Sequence, residues 1–114
     1  MNIRQPNFLI IMADFMGALT LPPYGNRIAK TPNLTRLADE SVIFDNAYCN
    51  FPLCAPSRAS MLSGLLPFET GVFDNGAEFP ASIPTFAHYL RQQGYRCELA
   101  GKMHFIGPDQ LHGF

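Results

Sequence analysis

From Phe8 to Ala13 the chain is continuously apolar, and the run is closed by Asp14. An extended segment of this kind has no polar face to turn to water, so it suits a strand covered on both sides, as in a parallel sheet with helices on its faces. Phe8–Met12 is therefore expected to be an inner strand, with Asp14 just beyond its carboxyl end. The composition agrees with such a demand for cover. The chain is 47% hydrophobic and 15% charged, whereas an average soluble domain carries about 25% charged residues. At 114 residues the length allows one domain, and the apolar excess suggests a piece of a larger fold.

Two further strand-like runs follow, Val42 to Tyr48 and Tyr95 to Ala100, and helix signals fall between them. Thr31-Pro32 reads as an N-cap with proline in the first turn, ahead of Leu34, Leu37 and Ala38 on one face. A second helix is expected to begin near Pro56 and run to Gly64. A third opens at Pro84, places Phe86, Ala87 and Leu90 on one face, and stops at Gly94. Alternating strands and helices predict an α/β fold, with ligands bound beyond the carboxyl ends of the strands.

The net charge of −1 gives no long-range field for nucleic acid or an anionic membrane surface. The apolar run at Phe8 is far shorter than the roughly 20 residues that cross a bilayer, and no basic leader precedes it, so a soluble, cytoplasmic chain is expected. Cys49, Cys54 and Cys97 cannot all pair, and their spacing fits neither a disulfide framework nor a zinc module.

Three polar clusters could carry chemistry. Asp14 could offer oxygen to a divalent cation, or could cap a turn. Lys102 and His104, two residues apart after the third strand, would project to one side and could converge on an anion; a surface lysine and a capping histidine are the plainer account. Cys54, ahead of a helix start with Arg58 one turn on, has the surroundings of a nucleophile or anion site, or of an inert buried thiol.

The third cluster reads Cys54-Ala55-Pro56-Ser57-Arg58, and CxPSR resembles the signature of the type I, formylglycine-dependent sulfatases. The resemblance runs from Phe8 to Phe114. It includes the FLIIMAD strand, the TPNLTRLADESVIFDNAYCNFPLCAPSRASMLSG stretch, SIPTFAHYLRQQGYRCELAGKMHF and the closing GPDQLHGF. VFDNGAEFP and MHFIGPDQLHGF are most similar to the choline-sulfatase branch. The resemblance implies an alkaline-phosphatase-like α/β fold, of which residues 1–114 would be the N-terminal, incomplete part of a mostly parallel sheet with flanking helices.

It also implies a mechanism. Cys54 would be oxidised to formylglycine, whose hydrated form attacks sulfur. The alcohol leaves, and the second geminal hydroxyl expels sulfate. Arg58 would hold the formylglycine, Lys102 would contact both it and the sulfate, and His104 would assist the elimination. Asp14 and the modified Cys54 would ligate the divalent metal, calcium, magnesium or manganese. Asn75 falls where choline-sulfatase-like sequences place an asparagine near the substrate, although Asp74-Asn75-Gly76 is also a turn signal. Phe15 departs from the family pattern, which has Asp or Gln there, and a phenyl ring cannot ligate a hard cation.

The implied partners are a small sulfate ester, a maturation enzyme that makes formylglycine, and further copies of the full-length protein in a homo-oligomer, with neither nucleic acid nor membrane. The rival readings are a phosphonate monoester or phosphodiester hydrolase of the same superfamily and a non-catalytic fragment. His88 is expected to pack or cap, while His112 has no role readable from its neighbours. Met61, Met103, Cys49, Cys97 and the phenylalanines read as core. In isolation the chain is expected to expose apolar surface and aggregate.

Overall fold

The computed structural model describes residues 5–114. The chain divides into two compact units, one ending at Ala47 and the other spanning Tyr48–Phe114.

In the first unit, short 3-10 turns at Ala18–Thr20 and Pro22–Tyr24 precede helix α1, Pro32–Asp39. The turns are pinned locally: the Gly17 carbonyl accepts from the Thr20 backbone N–H at 3.0 Å and from its hydroxyl at 2.6 Å. The Asn26 carboxamide oxygen accepts the N–H groups of Ile28 and Ala29, an Asx-type turn that leads into α1. Pro32 opens that helix as its missing N–H and fixed φ predict, but the Thr31 hydroxyl makes no cap bond. Leu34 and Leu37 remain exposed, and none of this unit's described residues is buried.

The second unit carries helices α2, Cys54–Ser63, α3, Pro67–Thr70, and α4, Phe86–Gln92. Its core is Ala55, Ala59 and Leu62 of α2 with Val72 and Phe79, against which Ile83, Phe86, Met103, Phe105 and Phe114 pack. Helix α2 ends where the sequence predicts. Gly64 takes the left-handed φ of 75° and returns its N–H to the Ser60 carbonyl at 2.8 Å, a geometry that penalises any residue with a Cβ. It begins two residues earlier than the proline suggests, so Cys54 is itself its first residue.

Helix α4 begins after Pro84, at Phe86, with Thr85 at the N-cap position in extended backbone. The Thr85 N–H donates to His88 Nδ1 at 3.0 Å, so His88 caps, as expected. A side chain at Gly113 would strike the His88 ring, with a Cβ 2.7 Å from Nδ1.

No strand is assigned among the described residues, which corrects the expected strands at Phe8–Met12, Val42–Tyr48 and Tyr95–Ala100. A strand exists only through a ladder with a neighbour, and these runs form none with one another. The Phe8–Met12 side chains are exposed rather than covered on both faces. Cys49 and Met61 are exposed rather than core, and Cys97 is half-buried with its thiol on the Ala87 carbonyl. Of the phenylalanines, Phe8, Phe15, Phe44, Phe68 and Phe73 are exposed. All three cysteines are free.

Candidate active site

The start of α2 organises the site. A helix leaves its first backbone N–H groups without intrahelical partners, and at α2 the proline and a distant side chain deal with two of them. Pro56 has no N–H, and the Ser57 N–H reaches the Leu53 carbonyl at 3.1 Å. Leu53, at the cap position, has no side chain able to accept. The Ala55 N–H instead donates to Asn75 Oδ1, at 3.0 Å and twenty residues away. The Cys49 thiol donates to the Phe51 carbonyl at 2.8 Å and lies 3.2 Å from the Ser57 hydroxyl, which ties the incoming loop to the helix.

Arg58 is 7% exposed. Its Nη1 donates to the Lys102 carbonyl at 2.8 Å and sits 4.0 Å from Met103 Sδ. The Lys102 ammonium in turn lies 3.5 Å from Cys54 Sγ. Lys102 is thus held to α2 at both ends, its main chain by a buried guanidinium that stays charged at all relevant pH and its head at the cysteine.

His104 Nε2 is 3.1 Å from the Asn75 carbonyl oxygen. A carbonyl only accepts, so Nε2 carries a hydrogen and the neutral ring keeps its lone pair on Nδ1, which is buried with no hydrogen-bond partner. His104 has a φ of 60°, so simple period-two alternation does not hold through this segment. Lys102 and His104 are placed by separate anchors, the ammonium at Cys54 Sγ and the ring at the Asn75 carbonyl.

Cys54, Arg58, Lys102, His104 and Asn75 therefore form one connected cluster. Asp74-Asn75-Gly76 divides its labour. Asp74 Oδ1 accepts the Gly76 N–H at 2.7 Å and makes the turn, while Asn75 reaches across to α2. Asp14 belongs to the first unit and lies in a turn with Phe15, which is 96% exposed and holds a left-handed φ of 58°. Among the described residues no three His, Cys, Asp or Glu side chains gather as a metal site. One carboxylate falls well short of the six or more oxygens a hard divalent cation takes, so these residues do not by themselves fit the metal.

His112 had no legible role, and the structure gives it one in packing. Its fully buried ring stacks on Phe79 and tilts against Phe105, each at 4.5 Å, and its carbonyl accepts from the Thr85 hydroxyl at 2.6 Å. Burial holds its pKa below the ordinary value, with the Asp109 carboxylate opposing. The backbone N–H groups of Leu111 and His112 donate to Asp109 and hold its carboxyl below the usual range.

The Sulfatase family model matches residues 6–110. The chain is 52% identical over its whole length to a choline-sulfatase of Rhizobium meliloti (strain 1021), of which it covers 22%. It is 36% identical, over 94% of its length, to an N-acetylglucosamine-6-O-sulfatase of Bacteroides thetaiotaomicron, of which it covers 19%. Among solved structures, it matches a protein in complex with its substrate D-glucosamine-2-N,6-O-disulfate at a TM-score of 0.89 and 36% identity, covering 94% of this chain and 22% of that one. A 2-O GAG sulfatase matches at 0.86 and 35%, covering 97% of this chain and 25% of that one. The chain thus spans about a fifth of the length of the curated relatives it matches. With the family model matched along nearly all of it and the backbone of solved relatives retained, the chain belongs to the sulfatase family and carries the N-terminal part of its alkaline-phosphatase-like fold.

Proposed function

We propose that the whole protein hydrolyses small sulfate esters, with choline sulfate as its substrate. The observation that carries this reading is the Lys102 ammonium 3.5 Å from Cys54 Sγ at the first residue of a helix. A cation and a helix N-terminus there face the same point, and both favour negative charge. The 52% identity to a choline-sulfatase supports the choice of ester.

Conversion of Cys54 to formylglycine by a maturation enzyme would supply a hydrated aldehyde, whose two oxygens provide a nucleophile and, later, a way to expel sulfate. Cys54 fits that modification: it is unpaired and half-buried, and its reactive atom is already within reach of a cation. Lys102 binds the sulfate and stabilises the charge that builds during transfer. Arg58 fixes where Lys102 stands by holding its carbonyl. His104, with its hydrogen on Nε2 directed at the Asn75 carbonyl, can take a proton at Nδ1.

The test compares choline sulfate with a phosphodiester as substrates of the whole protein co-expressed with a maturation enzyme. Faster turnover of choline sulfate, with an aldehyde in place of the Cys54 thiol in the peptide mass, is the expected result. Faster turnover of the phosphodiester would overturn the choice of substrate, and an unmodified thiol in active protein would overturn the nucleophile.

A further inference from the structure

Asn75 stands between two members of the site without being either. Its side-chain oxygen takes the Ala55 N–H at 3.0 Å, and its main-chain oxygen takes the His104 Nε2 hydrogen at 3.1 Å. One residue therefore ties the helix end that bears Cys54 to the histidine nearest it in function. We propose that Asn75 is a positioning residue, acting as a hydrogen-bond acceptor that fixes the start of α2, and Cys54 with it, relative to His104. The reaction it serves is the sulfate-ester hydrolysis proposed above.

Three features make this more than an incidental contact. Leu53 cannot cap its own helix, so without Asn75 the Ala55 N–H, in a buried residue, would lose its partner. The loop that presents Asn75 is itself anchored, with Val72 buried in the core before it and the Asp74–Gly76 bond closing a turn around it. The two bonds also use different atoms of Asn75, so the side chain can be changed while the carbonyl that orients His104 remains.

The requirement for an acceptor at position 75 separates this role from a substrate contact, in which the carboxamide would donate to a sulfate oxygen. Aspartate keeps the acceptor and loses the donor, whereas alanine loses both. Hydrogen exchange on the whole protein, read in the peptide containing Ala55, is expected to be about five- to tenfold faster at that amide in Asn75→Ala and unchanged in Asn75→Asp.

With choline sulfate, Asn75→Ala is expected to lower kcat by about 10- to 100-fold with little change in KM, as a misplaced nucleophile does, and Asn75→Asp to recover most of the loss. Unchanged exchange at Ala55 in Asn75→Ala would overturn the proposal. So would a rise in KM, larger for Asn75→Asp than for Asn75→Ala, with kcat preserved. Because the exchange measurement needs no turnover, faster exchange in a protein that hydrolyses no sulfate ester would count against the proposed reaction and leave the clamp standing.

Discussion

The two units of this chain contrast in how they satisfy their own side chains. From Tyr48 onward, the chain buries Ala55, Ala59 and Leu62 of α2, Ala87 of α4 and Phe79 of a connecting loop, together with Arg58, Ser60, Thr70, Thr85 and His112. Several of those polar groups are bonded across long stretches of sequence, such as Arg58 to Lys102 and Thr85 to His112. Up to Ala47, the turns and α1 are well formed by local bonds, yet their apolar side chains stay exposed. A helix closes its backbone bonds within itself, whereas an extended run such as Phe8–Met12 becomes a strand only by bonding to a neighbouring one, and none is assigned among the described residues. The candidate site residues Cys54, Arg58, Lys102, His104 and Asn75 gather in the unit that packs within itself, and Asp14 lies in the one that does not.

The largest expected effect that would sharpen this contrast is in the core. Leu62, fully buried among Ala55, Ala59 and Val72, should cost about 2–5 kcal/mol when changed to alanine, read as a lower urea midpoint. Lys102→Ala removes an exposed side chain, so stability should hold, while the whole protein's kcat on choline sulfate should fall about 10²- to 10³-fold. Loss of both together would show that the lysine is structural. Thr85→Ala deletes a buried hydroxyl that bonds the His112 carbonyl at 2.6 Å and should cost about 1–3 kcal/mol, with faster exchange at the start of α4.

The acid dependence of the second unit follows from the same packing. His112 is held below its ordinary 6.5 by burial, with the Asp109 carboxylate opposing. The unfolded chain takes up a proton near 6.5 that the folded chain refuses until lower pH. Stability from this group is thus complete above that value and is lost as pH falls from 6.5 through the folded-state pKa. Asp109, lowered from its ordinary 3.8 by the Leu111 and His112 amides, acts later, losing its contribution only as pH falls below 3.8. Urea midpoints between pH 7 and 5 should decline, and His112→Phe should flatten that decline; an unchanged slope would break the account of His112. The smallest effect belongs to Ile11, which is 83% exposed. Ile11→Ala in this chain should stay within about 0.5 kcal/mol, and a cost like that of Leu62→Ala would erase the contrast between the units.

What could be read from the sequence divides along the same physical line. Pro32, Gly64 and Gly94 mark ends of α1, α2 and α4 because proline's fixed φ and glycine's left-handed φ are properties of the residue itself. The Cys54, Arg58, Lys102 and His104 cluster was legible as motif chemistry. Its wiring was not: the guanidinium on the Lys102 carbonyl and the Asn75 cap on Ala55 join residues 44 and 20 positions apart. His112 escaped for a similar reason, since its place between Phe79 and Phe105 depends on tertiary packing alone. The expected strands are not assigned among the described residues because an apolar run records a need for neighbours without supplying them.

Sulfate release from choline sulfate by the whole protein, matured in the presence of a formylglycine-generating enzyme and compared with Cys54→Ala, tests the central claim most directly. Release by the parent protein that disappears in Cys54→Ala is the predicted result, and release that persists without Cys54 would contradict it.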